Sequence, residues 1–170
     1  MQLPSLGWGG TTRGLGTLIA VMMRYPEVSS VQYDPDAKSI SVGLIVRRAI
    51  PDETWHLFSD HLSDVLTAYR AITGRQLVLL QLSRLAVGSV TGMELARDIN
   101  SVSVEEVGMA IEVAREFFEG DLATDPHDLL EEDMIVQEEH IQERLETITR
   151  IGAGHLVALR DEGRVVIFNT

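Results

Sequence analysis

The chain contains no cysteine, and this absence removes several classes of chemistry at once. None of its 170 residues can form a disulfide, bind a metal through a thiolate or act as a cysteine nucleophile. The stability of the protein must therefore come from its core and its hydrogen bonds. A chain of this length is long enough to bury a substantial core, so one domain is expected.

Long apolar runs are also missing. The longest apolar stretches, such as residues 15–23 and 77–80, are far too short to cross a bilayer. The first fourteen residues lack the basic start and apolar run of a secretory signal. These two absences predict a cytoplasmic protein without a membrane partner.

Recognisable catalytic motifs are lacking as well. There is no GxSxG elbow for a serine nucleophile. Several glycines lie before residue 17, but no strand precedes them and no Gly-Lys-Ser/Thr follows, so neither nucleotide-binding fingerprint is present. The sequence therefore predicts no catalytic residue and no cofactor, and it favours a protein that is not an enzyme.

Negative charge, by contrast, is abundant and concentrated. The chain has a net charge of −12, and the segment from Glu105 to Glu146 holds 15 acidic side chains against Arg115 and Arg144. The remaining residues are nearly neutral. Because phosphate contacts need a basic surface, this distribution excludes general nucleic-acid binding.

Apolar spacing and turn signals predict a succession of helices and strands. Helical spacing covers residues 12–25, and an alternating hairpin follows around residues 34–37. A strong helix is expected over residues 52–73, between Pro51 and Gly74. Ser103 and Glu106 form a capping box before a further helix, and a second acidic helix is predicted to run to about Arg150. Further strands are predicted around residues 75–82, 89–99, 155–160 and 164–169.

This order predicts an α+β fold of the ferredoxin-like, βαββαβ type, with an antiparallel sheet and helices on one face. An acidic helical segment and a C-terminal β-hairpin are added to it. We expect an irregular arm over residues 1–11 and an α+β core over 12–120. Residues 121–170 would supply the acidic helix and the hairpin, packed on the same domain.

Two groups of side chains could bind a metal ion. His56, Asp60 and Asp64 share one face of the helix predicted at 52–73, and imidazole with carboxylates suits Zn²⁺, Mn²⁺ or Fe²⁺. A second group, in the acidic segment, consists of Glu139, His140 and Glu143. A solvated polar helix face also explains either pattern, and it is the favoured interpretation because charged side chains are usually exposed.

Three functions remain open from the sequence. The first is a non-catalytic, self-associating interaction or regulatory module, with a dimer favoured; the acidic segment would pair with a basic region on another copy. That basic region would contain arginines 47, 48, 75, 84 and 97. The second is a small metal-dependent enzyme or metal-binding protein. The third is an acidic docking surface for a basic protein partner.

Overall fold

A computed structural model describes residues 20–74, 79–124, 155–161 and 164–169, which form an α+β structure built on one six-stranded antiparallel sheet. The strand order across the sheet is β3-β4-β2-β1-β5-β6. The strands are β1 (Ser30–Asp34), β2 (Ser39–Val46), β3 (Leu80–Val87), β4 (Val90–Asp98), β5 (Leu156–Asp161) and β6 (Arg164–Asn169).

Alternating burial follows from the register of the strands. Val42 lies opposite Val31 on one side and opposite Leu95 on the other, and all three are buried. Because successive side chains of a strand point to opposite faces, the buried row continues at every second residue. The alternation that the sequence predicted for the hairpin around residues 34–37 is confirmed in β2.

Helix α1 spans Asp52–Thr73, as the sequence predicted. Pro51 is the N-cap of this helix, and the helix ends at Gly74. The φ angle of Gly74 is +71°, in the left-handed region that glycine adopts without strain. At the C-terminal end of the helix the buried face does not follow the apolar residues. Ile72 is 85% exposed, while Arg70 is buried on the inner face.

Helix α2 spans Val104–Phe118 and continues into a short 3-10 turn, Glu119–Asp121. The Ser103 hydroxyl accepts a hydrogen bond from the backbone N–H of Glu106, so this half of the predicted capping box is confirmed. The other half is wrong. The Glu106 side chain does not return to the cap, because it forms ion pairs with two buried arginines.

Both helices pack on the same face of the sheet. Between them and the strands lies a small apolar void, lined from the helix side by Phe58, Leu62 and Ile111 and from the sheet side by Val42 and Leu95. Residues 20–24 form a third helical segment. It lies near β5, since the Arg160 guanidinium donates to the backbone carbonyl of Met22.

The predicted ferredoxin-like topology is only partly reproduced. The unit β2–α1–β3–β4–α2 has the strand order β3-β4-β2 that such a fold requires. However, the other neighbour of β2 is β1, which precedes the unit, and Leu122 after α2 forms only an isolated bridge with Val46. The α+β class is confirmed, and the complete ferredoxin-like topology is not.

The C-terminal part of the chain adds two strands to this sheet. β5 pairs with β1, and β5 and β6 pair with each other, as expected for the predicted hairpin. The predicted arm at 1–11 and the second acidic helix lie outside the described residues, so the proposed division into segments stays a prediction. No helix in the described ranges has the length and apolar character needed to span a membrane.

Candidate interaction surface

The face of the sheet opposite the helices is uncovered within the part of the chain that the structure describes. We call it the open face and define it by the outward-pointing residues of the six strands. By the strand register these are Ser30, Gln32, Asp34, Ser39, Ser41, Gly43, Ile45, Gln81, Ser83, Leu85, Val87, Val90, Gly92, Glu94, Ala96, Asp98, Val157, Leu159, Arg164, Val166 and Phe168.

Large exposed hydrophobic side chains gather on this open face. The exposed fractions are 69% for Leu85, 64% for Val87, 41% for Leu159, 39% for Val166 and 46% for Phe168. Among the described residues only two other large hydrophobic side chains are exposed, Leu57 and Ile72 of α1. The five side chains of the open face form two groups, one on β3 and one on β5 and β6, with β4, β2 and β1 between them. Clustered exposed apolar side chains of this kind indicate a candidate interaction site.

A shallow groove of about 490 Å³ crosses the open face. Its floor includes Gly43 and Gly92, and Leu85 and Leu159 line it from opposite sides. Gly43 has no side chain that could project from the floor. There is no room for one beside Ser30, because a Cβ at position 43 would lie 2.2 Å from the Ser30 Oγ. Small residues in the centre and apolar residues at both margins allow another element of structure to approach closely.

Acidic charge is sparse in this groove, which is lined by three charged residues, Arg84, Arg160 and Glu94. Glu94 is its one acidic residue, and it makes no hydrogen bond or ion pair with any other described residue. The strongly negative net charge of the chain therefore resides elsewhere. The repulsion that opposes the approach of another acidic surface is therefore weak at this groove.

The described half of the acidic segment is exposed along α2. Glu105, Glu112 and Glu116 line a groove of about 600 Å³ that also contains Arg24 and His61. These carboxylates lie beside the helices, on the opposite side of the molecule from the open face. The predicted acidic docking surface for a basic partner stays a prediction, and residues 125–154 lie outside the described ranges.

One acidic residue of this segment is not on the surface. Glu106 is 1% exposed, and its carboxylate forms ion pairs with Arg70 and with Arg97, the latter at 2.9 Å from Nε. Arg97 also pairs with Asp98 at 2.5 Å. This buried network joins α1, β4 and α2.

Asp98 is held in its charged form by its neighbours. Burial raises the pKa of this carboxyl, but hydrogen bonds from the Ser101 hydroxyl and the Leu79 backbone N–H, with the charge of Arg97, outweigh burial. The pKa therefore lies below its ordinary value. The stability that this carboxylate contributes is present near neutral pH and is lost as the pH falls through the lowered pKa.

The basic region expected on the body of the molecule is not formed as predicted. Arg97 is buried, so it cannot belong to a surface patch. Arg84 forms an ion pair with Asp52, and Arg48 pairs with Asp121 at 3.1 Å. Arg75 lies outside the described residues. The electrostatic reason for self-association is consequently weaker than the sequence indicated.

A different group of potential metal ligands is brought together at one end of the sheet. Asp34 ends β1, Asp36 lies in the following turn, and His155 precedes β5; one ligand atom from each lies within 4.8 Å of the others. The imidazole Nδ1 is 3.7 Å from Asp34, and Nε2 is 3.7 Å from Asp36. Strand pairing explains this proximity, because Tyr33 lies opposite Leu156.

The first predicted metal group is not brought together in the way that Asp34, Asp36 and His155 are. His56, Asp60 and Asp64 lie on α1, and within the described ranges only the group at Asp34 has three such ligand atoms within 4.8 Å of one another. Glu139, His140 and Glu143 lie outside the described residues. Both groups stay predictions. Sequence reasoning missed His155 because its partners lie about 120 positions earlier, and only the pairing of β1 with β5 joins them.

Comparison with known proteins supplies no family. No protein-family model, no curated protein and no solved structure matches the chain. The function must therefore be inferred from the residues of this chain alone.

Proposed function

We propose that the protein is a non-catalytic interaction module that self-associates in the cytoplasm, with a dimer as the favoured state. The observation that supports this proposal is the concentration of exposed hydrophobic side chains on one face of the sheet. Removing such a patch from water is the main favourable term in most protein associations. Burial of these side chains against another protein surface would stabilise the assembly.

Self-association predicts a molecular mass that rises with protein concentration. Sedimentation velocity of the full chain over the micromolar range should show a monomer giving way to a dimer. Added NaCl should not weaken the dimer, because salt screens the repulsion between two chains of charge −12. A strict monomer throughout this range would contradict the proposal, and dissociation by salt would indicate pairing of opposite charges instead.

Metal binding is a second candidate function, favoured by the convergence of Asp34, Asp36 and His155. One imidazole and two carboxylates provide a donor set that suits Zn²⁺ or Mn²⁺. The ligands are exposed, so such an ion would exchange with solvent. This site differs from the helix positions that the sequence indicated.

If Asp34, Asp36 and His155 bind a metal, His155→Ala should abolish the binding. Isothermal titration with Zn²⁺ should give one ion per chain for the unmodified protein and none for this variant. His56→Ala is the matched control and should bind normally, because His56 lies on α1, outside this group. Absence of both bound zinc and a thermal shift in the unmodified chain would exclude this candidate.

We also infer that the unit from β2 to α2 derives from a ferredoxin-like arrangement. Its strand order and the placement of both helices on one face support this interpretation. In this view β1 takes the position next to β2 that the strand after the second helix holds in the complete fold.

A further inference from the structure

We infer that the open face of the sheet is the surface through which two copies of this chain associate, face to face. The inference rests on the proposed self-association and adds the surface that performs it. Three properties of the described residues support a second copy as the occupant: the distribution of hydrophobic side chains, the distribution of charge, and the dimensions of the face.

Hydrophobic side chains occupy both margins of the open face. Leu85 and Val87 lie on the edge strand β3, while Leu159, Val166 and Phe168 lie on β5 and β6 at the other side. In a two-fold symmetric dimer both partners use the same patch. The exposed side chains of each copy would therefore be buried against the open face of the other. Apolar residues at both margins would exclude water from the two edges of such an interface.

Charge explains why two copies would meet here. Each chain has a net charge of −12, so most approaches between two copies are repulsive. The groove of the open face contains only Glu94 as an acidic residue, and the carboxylates of α2 lie on the far side of the helical layer. Face-to-face packing therefore places the strongest negative charges of the two copies farthest apart.

The dimensions of the face suit this packing. Six strands spaced about 4.8 Å apart and about 20 Å long present a surface of roughly 500 Å² in projection. Projecting side chains increase this area towards the roughly 800 Å² per partner that a stable interface buries. Two sheets can pack about 10 Å apart, and the small residues at the centre, Gly43 and Gly92, permit that approach.

Lysine substitutions test the assignment. We expect Leu85→Lys and Leu159→Lys each to weaken the dimer by about tenfold or more in sedimentation equilibrium, since each replaces a buried apolar contact with a charge. Each substitution lowers the net negative charge of the chain, so increased general repulsion cannot explain the loss. Ile72→Lys is the matched control; it changes an exposed hydrophobic residue of α1 by the same charge and should leave the dimer intact.

Thiol labelling gives a second measurement that does not depend on disrupting the interface. The chain has no cysteine, so Ser30→Cys introduces a single thiol near the centre of the open face. Its rate of reaction with a disulfide reagent should fall as protein concentration rises through the dimerisation range. Thr67→Cys, on the exposed side of α1, should react at a constant rate.

The possible results distinguish the proposed interface, the open face, from the proposed function, self-association. A dimer that all three lysine variants leave unchanged, or a Ser30→Cys thiol that stays reactive in the dimer, overturns this surface but not self-association. An unmodified chain that is always monomeric overturns the proposed function and this inference with it. A monomer that the two sheet variants destabilise in thermal melts, without effect from Ile72→Lys, also overturns the inference and indicates that another part of the same chain covers the face.

Discussion

Replacing Glu106 by alanine should lower the free energy of unfolding by about 3–5 kcal/mol, because the change leaves two buried arginines without their shared carboxylate. Arg97 is 1% exposed and Arg70 is 2% exposed, so water cannot easily replace the lost partner. The repulsion between the two guanidinium groups would also no longer be offset by the negative charge between them. Urea denaturation followed by circular dichroism measures this loss.

Glu105→Ala is the matched control for this substitution. Glu105 precedes Glu106 in the first turn of α2, where both carboxylates interact with the positive end of the helix dipole. It is exposed and belongs to the groove along α2, so its removal should change stability by less than about 0.5 kcal/mol. Equal losses for the two variants would mean that the buried network contributes nothing beyond the effect at the helix end.

Phe58→Ala should have a comparable effect, with a loss of about 3–5 kcal/mol, because it opens a cavity in the aromatic centre of the core. Phe58 is buried, with ring centroids 5.7 Å from Trp55, 5.5 Å from Phe117 and 5.1 Å from Phe118. The last two contacts are edge-to-face and join α1 to the C-terminal end of α2. Chemical denaturation and the near-ultraviolet circular dichroism of the aromatic residues would report the loss.

The neighbouring Leu57 provides the comparison for Phe58. It lies on α1 next to Phe58 and is exposed, so Leu57→Ala removes a large side chain without opening a cavity. We expect the free energy of unfolding of the Leu57→Ala variant to stay within about 0.5 kcal/mol of that of the unmodified protein. Alanine has the highest helix propensity, so neither variant loses stability through the helix itself. Equal losses for Leu57→Ala and Phe58→Ala would therefore contradict the assignment of the effect to a cavity in the core.

Most individual elements were predictable because local patterns define them. The helix over 52–73 has a proline before it, a glycine after it and apolar residues at helical spacing. The strands from 39 to 46 and from 156 to 169 alternate or flank a turn, and each was placed correctly. These signals involve residues a few positions apart, so they do not depend on the rest of the fold.

The candidate sites were much less predictable. The role of Glu106 illustrates the reason: its position before an apolar helix suggested a cap, but the opposing arginines come from β4 and α1. Arg97 was similarly expected on the surface, because a charged residue in a strand is normally exposed. Each assignment failed where a distant partner in the fold changed the environment of the side chain.

The sequence by itself therefore determined the α+β class, the bounds of most of the main elements, the absence of thiol chemistry and the net acidity of the chain. The strand predicted around 75–82 is an exception, because β3 spans Leu80–Val87. Tertiary structure alone decided which face of the sheet the helices cover, and so which apolar side chains remain exposed. It also decided that His155 meets Asp34 and that Glu106 is buried. Periodicity shows that a strand has two different faces, but the pairing and packing of distant segments decide which of those faces meets the core.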